Sequence, residues 1–157
     1  MPTSDPQVPP QDLERLFSAE RLSTCIEHCG GDFAAAVEMY RWNSAITAAF
    51  WEPIGHLEVA LRNVLDQRLA ARHRRLERPD LASGFPHAPD RQLGTIEGPL
   101  ARLHVFRNRL AHHQRVWSHA PGERYEDLLA LAGYIAPALP GWIATTSRVP
   151  QTLTAKP

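Results

Sequence analysis

The run RNRLAHH, Arg107 to His113, sets two arginines, an asparagine and two histidines among apolar neighbours that belong in a core. An arginine's planar fork matches phosphate oxygens in a bidentate way. A histidine titrates near neutrality, and neighbouring arginines hold it deprotonated, ready to act as a base. Arg107 binding an anion, Asn108 positioning a partner and His112 exchanging a proton would make a phosphate site. The same residues also have a plainer reading. In it Arg107 pairs with a carboxylate such as Glu58, and the histidines merely border the core. Residue types and spacing leave both readings open.

Both readings place the run on a helix. At about 100° per residue, Leu100, Leu103, Phe106, Leu110, Ala111 and Trp117 share one broad face, with Arg107 projecting inside it. A guanidinium there needs an acidic partner or an anionic ligand, because an isolated buried charge is very costly. His104, Asn108 and His112 border the stripe, with Arg115 one turn beyond. Asn108 and His112, four apart, are within reach of each other. Arg109 points outward and reads as solvated. A helix with one such arginine needs a second surface, which predicts a two-fold dimer with the 99–117 helices near each other.

The elements that must carry this helix are helical too. Residues 1–10 hold four prolines and little to bury, and read as a disordered lead. A helix starts near Gln11 with Leu13, Leu16 and Phe17 as its apolar face. Ser18 can cap a second, carrying Leu22, Cys25 and Ile26, which Gly30-Gly31 stops; Asp32 can cap the next. Phe33 to Trp51 reads as one alanine-rich helix, and Pro53 must kink or restart it. Beyond it Leu57, Leu61, Val64, Leu65 and Leu69 form a stripe, while Glu58 and Arg62 sit one turn apart on the polar side. Residues 79–98, punctuated by Pro, Gly and Ser, read as a mobile loop. Helix resumes near Pro99, Pro121-Gly122 breaks it, and Tyr125 to Ala136 forms another. Residues 149–157 read as a disordered tail. No strand pattern is present, so the expected architecture is an all-α bundle over 11–148.

Composition bounds the function classes. The 157 residues, 43% hydrophobic and 22% charged, suit one globular domain. The start MPTSDPQVPP has no basic or apolar run and reads as no secretory leader. Leu128 to Ser147 is uncharged but holds Pro137, Pro140, Gly133 and Gly141, which favours a packed helix and turn over a membrane span. Cys25 and Cys29 bracket His28, yet no second Cys/His pair follows to complete a metal site. They read as two buried thiols of the cytoplasm, with no metal and no cofactor. Net charge is zero, but the arginines cluster. Gly98 to Gly122 has no acidic residue and carries Arg102, Arg107, Arg109 and Arg115, and a second run carries Arg68, Arg72, Arg74, Arg75 and Arg78. Such stretches suit a phosphate-bearing partner.

Arg107-Asn108 followed by His112 resembles the signature of HEPN domains, an arginine and a histidine four to six residues apart. Taken with YRWN (40–43) and HLEVALRN (56–63), in that order, FRNRLAHH (106–113) resembles the Abi-like, abortive-infection branch of that superfamily over roughly residues 11 to 148. In place of an aromatic-rich helical segment between the last two motifs stands only the loop 79–98. The resemblance implies a HEPN-like bundle, dimeric, cleaving RNA without a metal by attack of the ribose 2′-hydroxyl on the adjacent phosphate, as a toxin of phage defence with or without a cognate antitoxin. It implies that Arg107 stabilises the developing charge, Asn108 orients, and His112 or His113 moves the proton. His104, Glu58 and Arg62 would support them, and Arg109, Arg115, Arg72 and Arg75 would hold RNA. Two other readings are a non-catalytic helical module that binds RNA or protein, and a structural fragment of a once longer gene.

Overall fold

A computed structural model describes residues 10–17, 19–75, 81–90 and 92–157, and among these there is helix and turn but no strand. Seven α-helices run in the order α1 (Pro10–Phe17), α2 (Ala19–His28), α3 (Phe33–Arg75), α4 (Leu93–Ala111), α5 (Pro121–Ile135), α6 (Leu139–Thr146) and α7 (Val149–Thr154). Short 3-10 turns at Leu81–Gly84 and Trp117–His119 flank α4. The expected all-α bundle is what the chain forms. No described helix is long and apolar enough to cross a membrane.

The centre of the bundle is α3, 43 residues long. Met39, Trp42, Ile46, Phe50, Ile54 and Leu57 recur at helical spacing along its buried side. They pack with Leu103, Phe106 and Leu110 of α4 and with Leu128 and Leu131 of α5 in one cluster. The Phe50 ring meets Phe106 edge-on at 4.8 Å. Pro53 does not restart the helix: α3 runs through it. Proline there removes one backbone bond, and burial of Phe50, Ile54 and Leu57 on either side offsets the loss. Past Leu61 the helix leaves the core, and Leu65 and Leu69 are nearly half exposed. The expected stripe therefore divides, with only its first part in the core.

The turn between α2 and α3 follows the sequence reading. The Gly31 N–H donates to the Ile26 carbonyl at 2.9 Å and the Gly30 N–H to that of Glu27 at 3.2 Å. Both glycines hold positive φ, 64° and 91°, the arrangement in which a left-handed residue ends a helix. The Asp32 carboxylate then accepts from the Ala35 N–H at 3.1 Å and caps α3. The proposed Ser18 cap and residues 1–9 lie outside the described residues.

Three expectations need correction. The loop set at 79–98 is shorter: Leu81–Gly84 forms a 3-10 turn, Phe85 is buried, and α4 begins at Leu93. Ile96, almost fully buried, anchors this early start and offsets the bond that Pro99 cannot make. A Cβ on Gly84 would lie 2.6 Å from Val64 Cγ1, so any larger residue there must displace Val64 for the turn to return onto α3. Next, α4 ends at Ala111, so Arg115 and Trp117 are not on it. Finally, residues 149–157 are not a disordered tail. Val149 is fully buried, and the Trp42 indole N–H donates to the Thr152 carbonyl at 2.7 Å. The apolar surface of α3 around Trp42 needs a cover, and α7 supplies it. Val149→Ala is expected to lower stability to urea by about 2 kcal/mol, two buried methyl groups plus the cavity they leave. A disordered tail would show no change.

Candidate functional site

The side chains singled out in the sequence fall into two separate places. The first is a groove of about 300 Å³ between α3 and α4, walled by Ile54, Leu57, Leu61, Leu100 and Leu103 and edged by Glu58, His104, Arg107 and Asn108. Arg107 lies across the helix pair, its Nε 3.4 Å from Glu58 Oε1. Its guanidinium carbon also sits 5.5 Å from the centre of the Trp51 ring. The Arg107 side chain is 42% exposed and that of Glu58 is 50% exposed. A pair so wet contributes only about 0–1 kcal/mol. An anionic ligand can therefore displace Glu58 at small cost. The buried arginine expected inside an apolar face is thus a surface one, at the edge of the open groove between α3 and α4.

Asn108 turns back along α4 instead of forward to His112. Its amide lies 3.2 Å from His104 Nε2, one turn earlier. His104, Asn108 and His112 are all exposed. With Ala101 and Val105 they form an outward ridge within about 100° of arc on α4. Arg62, one turn on from Glu58, is exposed and edges neither this groove nor the second place. The backbones of Arg72 and Arg75 lie in the last turns of α3, but their side chains lie outside the described residues.

The second place is a cavity of about 600 Å³ lined by residues of α2, α3 and the turn after α4, His112, His113, Arg109, Arg115, Arg21 and Tyr40 among them. The backbone explains why both histidines open here. At the end of α4 the His113 N–H donates to the Leu110 carbonyl at 3.1 Å and the Gln114 N–H to that of Arg109 at 2.9 Å. This is the same closing pattern that Gly30 and Gly31 make, but with His113 at the left-handed position, φ 51°. A residue bearing a Cβ is strained there by about 1–2 kcal/mol. The chain thus doubles back over α4. Arg109, expected to be solvated, is half-buried beneath it and donates through Nη1 to Gln114 Oε1 at 3.3 Å.

A residue that the sequence marked only as part of YRWN holds this turn in place. Asn43, 7% exposed, accepts from the Val116 N–H at 2.9 Å and donates to the Gln114 carbonyl at 3.3 Å. A buried asparagine on an otherwise apolar helix face was the available signal for such a role, since it must satisfy both ends of its amide.

Charge concentrates at this end of the molecule. Burial holds the His119 imidazole below the usual histidine pKa, and the positive charges of Arg109 and Arg115 add to it. A lowered pKa means that the folded state binds its proton less readily than the unfolded state. His119 therefore contributes stability that is complete above the ordinary histidine value of about 6.5 and is lost as pH falls through its lower folded value. Urea midpoints measured from pH 7.5 to 5 should fall less steeply in His119→Gln than in wild type. Equal slopes would show that His119 carries no such linkage. On the α2 wall of the same cavity, burial and the neighbouring Cys29 raise the Cys25 thiol pKa. Cys25 is thus an unreactive core thiol.

Within one copy, then, the structure brings Arg107, Asn108, His104 and Glu58 together and sets His112 and His113 beside Arg109 and Arg115. Five residues of helix turn through about 500°, which leaves Arg107 and His112 about 140° apart. Comparisons with protein-family models, curated proteins and solved structures find no significant match to this chain.

Proposed function

We propose that the chain is a HEPN-type endoribonuclease of the Abi-like kind, a cytoplasmic toxin of phage defence that cleaves RNA as a homodimer without a metal. The observation that carries this reading is the solvent-facing end of α4. There a weakly held arginine, Arg107, lies beside Asn108 in the α3–α4 groove, and two exposed histidines, His112 and His113, follow it and open on the second cavity. In the reaction the ribose 2′-oxygen attacks phosphorus while the bond from phosphorus to the 5′-oxygen breaks. The 2′ proton passes to His112, and the imidazole then delivers it to the departing 5′-oxygen. Arg107, released from Glu58, binds the phosphoryl oxygens as negative charge grows on them. The products are a 2′,3′-cyclic phosphate and a 5′-hydroxyl. Single-turnover cleavage of a labelled RNA tests this reading.

The angle between Arg107 and His112 supports a dimeric site, in which the α4 of a second copy supplies the group that one copy turns away. The exposed ridge of α4 is the contact surface, with Val105, 52% exposed, at its middle. On α3, exposed Trp51, Leu65 and Leu69 extend the apolar area. Light scattering at tens of micromolar should give twice the chain mass, and Val105→Glu should restore the monomer by placing two like charges at the two-fold contact. A monomeric wild type without RNA would count against the dimeric site.

One observation favours a second reading, a non-catalytic RNA-binding module. Within a copy Arg107 is already paired, and it faces a different cavity from the histidines. RNA binding without cleavage by wild type would select it.

A further inference from the structure

We propose that the cavity between α2, α3 and the turn after α4 is a nucleotide-phosphate site, in which Arg109, not Arg107, is the guanidinium that shares an anion with His112 and His113. The ligand class rests on the reading of the chain as an RNA-handling protein, but the site stands on residues that reading does not use as its catalytic arginine.

Three arginines, Arg21, Arg109 and Arg115, line the cavity against one carboxylate, Glu20. In the α3–α4 groove, by contrast, Arg107 meets Glu58 one to one. The excess positive charge therefore lies with the histidines. Arg109 Nε is shut away from solvent with no hydrogen-bond partner among the described residues. A phosphate in the cavity would meet the Nη groups of Arg109, since Nη1 is held by the exposed Gln114 side chain, a partner that a phosphate can replace. The strain at His113 points the same way. Its left-handed backbone suits glycine, yet a histidine stands there, at the edge of the cavity. Strain retained at a cavity lip is characteristic of a site that uses the side chain.

The remaining walls fit the rest of a nucleotide. Tyr40 and Trp117 also line the cavity, and aromatic faces stack bases of any identity. A volume of about 600 Å³ falls in the range of sites for small organic ligands. A phosphate against Arg109 and Arg115 with its base toward the aromatic walls uses the whole space. In the dimer, this site would hold a phosphate of the RNA strand next to the one that is cut.

The test is fluorescence anisotropy of a fluorescein-labelled, 2′-O-methyl single-stranded RNA octamer, which binds but has no 2′-hydroxyl to react. AMP and inorganic phosphate serve as competitors. Arg115→Gln and Arg109→Gln are each expected to weaken binding about tenfold or more, the loss of a charge-assisted hydrogen bond. Arg148→Gln, on the far side of α3 beside α7, should change nothing. His113→Gly separates site from fold: it should raise the melting temperature by removing the strain and still weaken RNA binding. AMP should displace the RNA at lower concentration than inorganic phosphate. Displacement by phosphate but not by AMP would overturn the nucleotide assignment. Wild-type affinity in Arg109→Gln, Arg115→Gln and His113→Gly together would overturn the site, even if the protein cleaves RNA. A wild type that binds the octamer through these residues but never cuts RNA would sink the nuclease reading and leave this site standing.

Discussion

His112→Ala is expected to slow single-turnover cleavage of a labelled RNA by about two to four orders of magnitude, the usual contribution of a positioned acid or base. Arg107→Ala should be at least as damaging, and Arg107→Lys should not rescue it, because a point charge cannot reproduce the fork on two phosphoryl oxygens. The structure sharpens the expectation for Arg107. Its pair with Glu58 is half in water, so Arg107→Ala should unfold at nearly the wild-type urea concentration while losing activity. A large loss of stability would instead mark the arginine as structural. His113→Ala belongs in the same series, since both histidines line one cavity. Cleavage should persist in EDTA and leave a 2′,3′-cyclic phosphate, because an arginine and a histidine suffice for internal transesterification. If EDTA abolishes cleavage, or if His112→Ala and His113→Ala both cut like wild type, the mechanism is wrong for this protein.

Asn43→Ala should cost about 2–4 kcal/mol, for a reason unrelated to the chemistry. The substitution strands the Val116 N–H and the Gln114 carbonyl, both bonded to Asn43 in the native turn. Each unsatisfied buried group costs about 1–3 kcal/mol. Val116 is fully buried, so water does not reach its amide without opening the turn. Hydrogen exchange should show Val116 losing protection before the core of α3 does. Ser44→Ala, next in sequence but exposed and bonded only to its own helix, is the control and should change stability by less than about 0.5 kcal/mol. The turn also carries His113, Gln114 and Arg115, so Asn43→Ala should weaken RNA binding as well. An Asn43→Ala protein as stable as wild type would remove Asn43 from this role.

What the sequence alone determined is what near neighbours determine. Hydrophobic spacing in Phe33–Trp51 and Leu100–Leu110 was enough for helices, since the repeat of 3.6 residues is a property of the backbone itself. Gly30-Gly31 and Asp32 marked a stop and a start because left-handed φ and a capping carboxylate are local demands. The pairing of Arg107 with Glu58 was open in the sequence as one of two readings, since an arginine near an apolar stripe must find a partner. Only the tertiary structure decided which arginine sits with which histidine. That outcome depends on the chain doubling back after His113, and the bonds that hold the turn reach from Asn43 to Gln114 and Val116, 71 and 73 residues away. No periodicity encodes a contact at that separation. The same limit explains the tail. Val149 and Thr152 carry no strong helical signal of their own, and α7 forms because the Trp42 side of α3 offers an apolar surface and an indole N–H in need of an acceptor. Arg109 read as solvated because its angle on the helix pointed outward. It is half-buried because the folded chain returns over it.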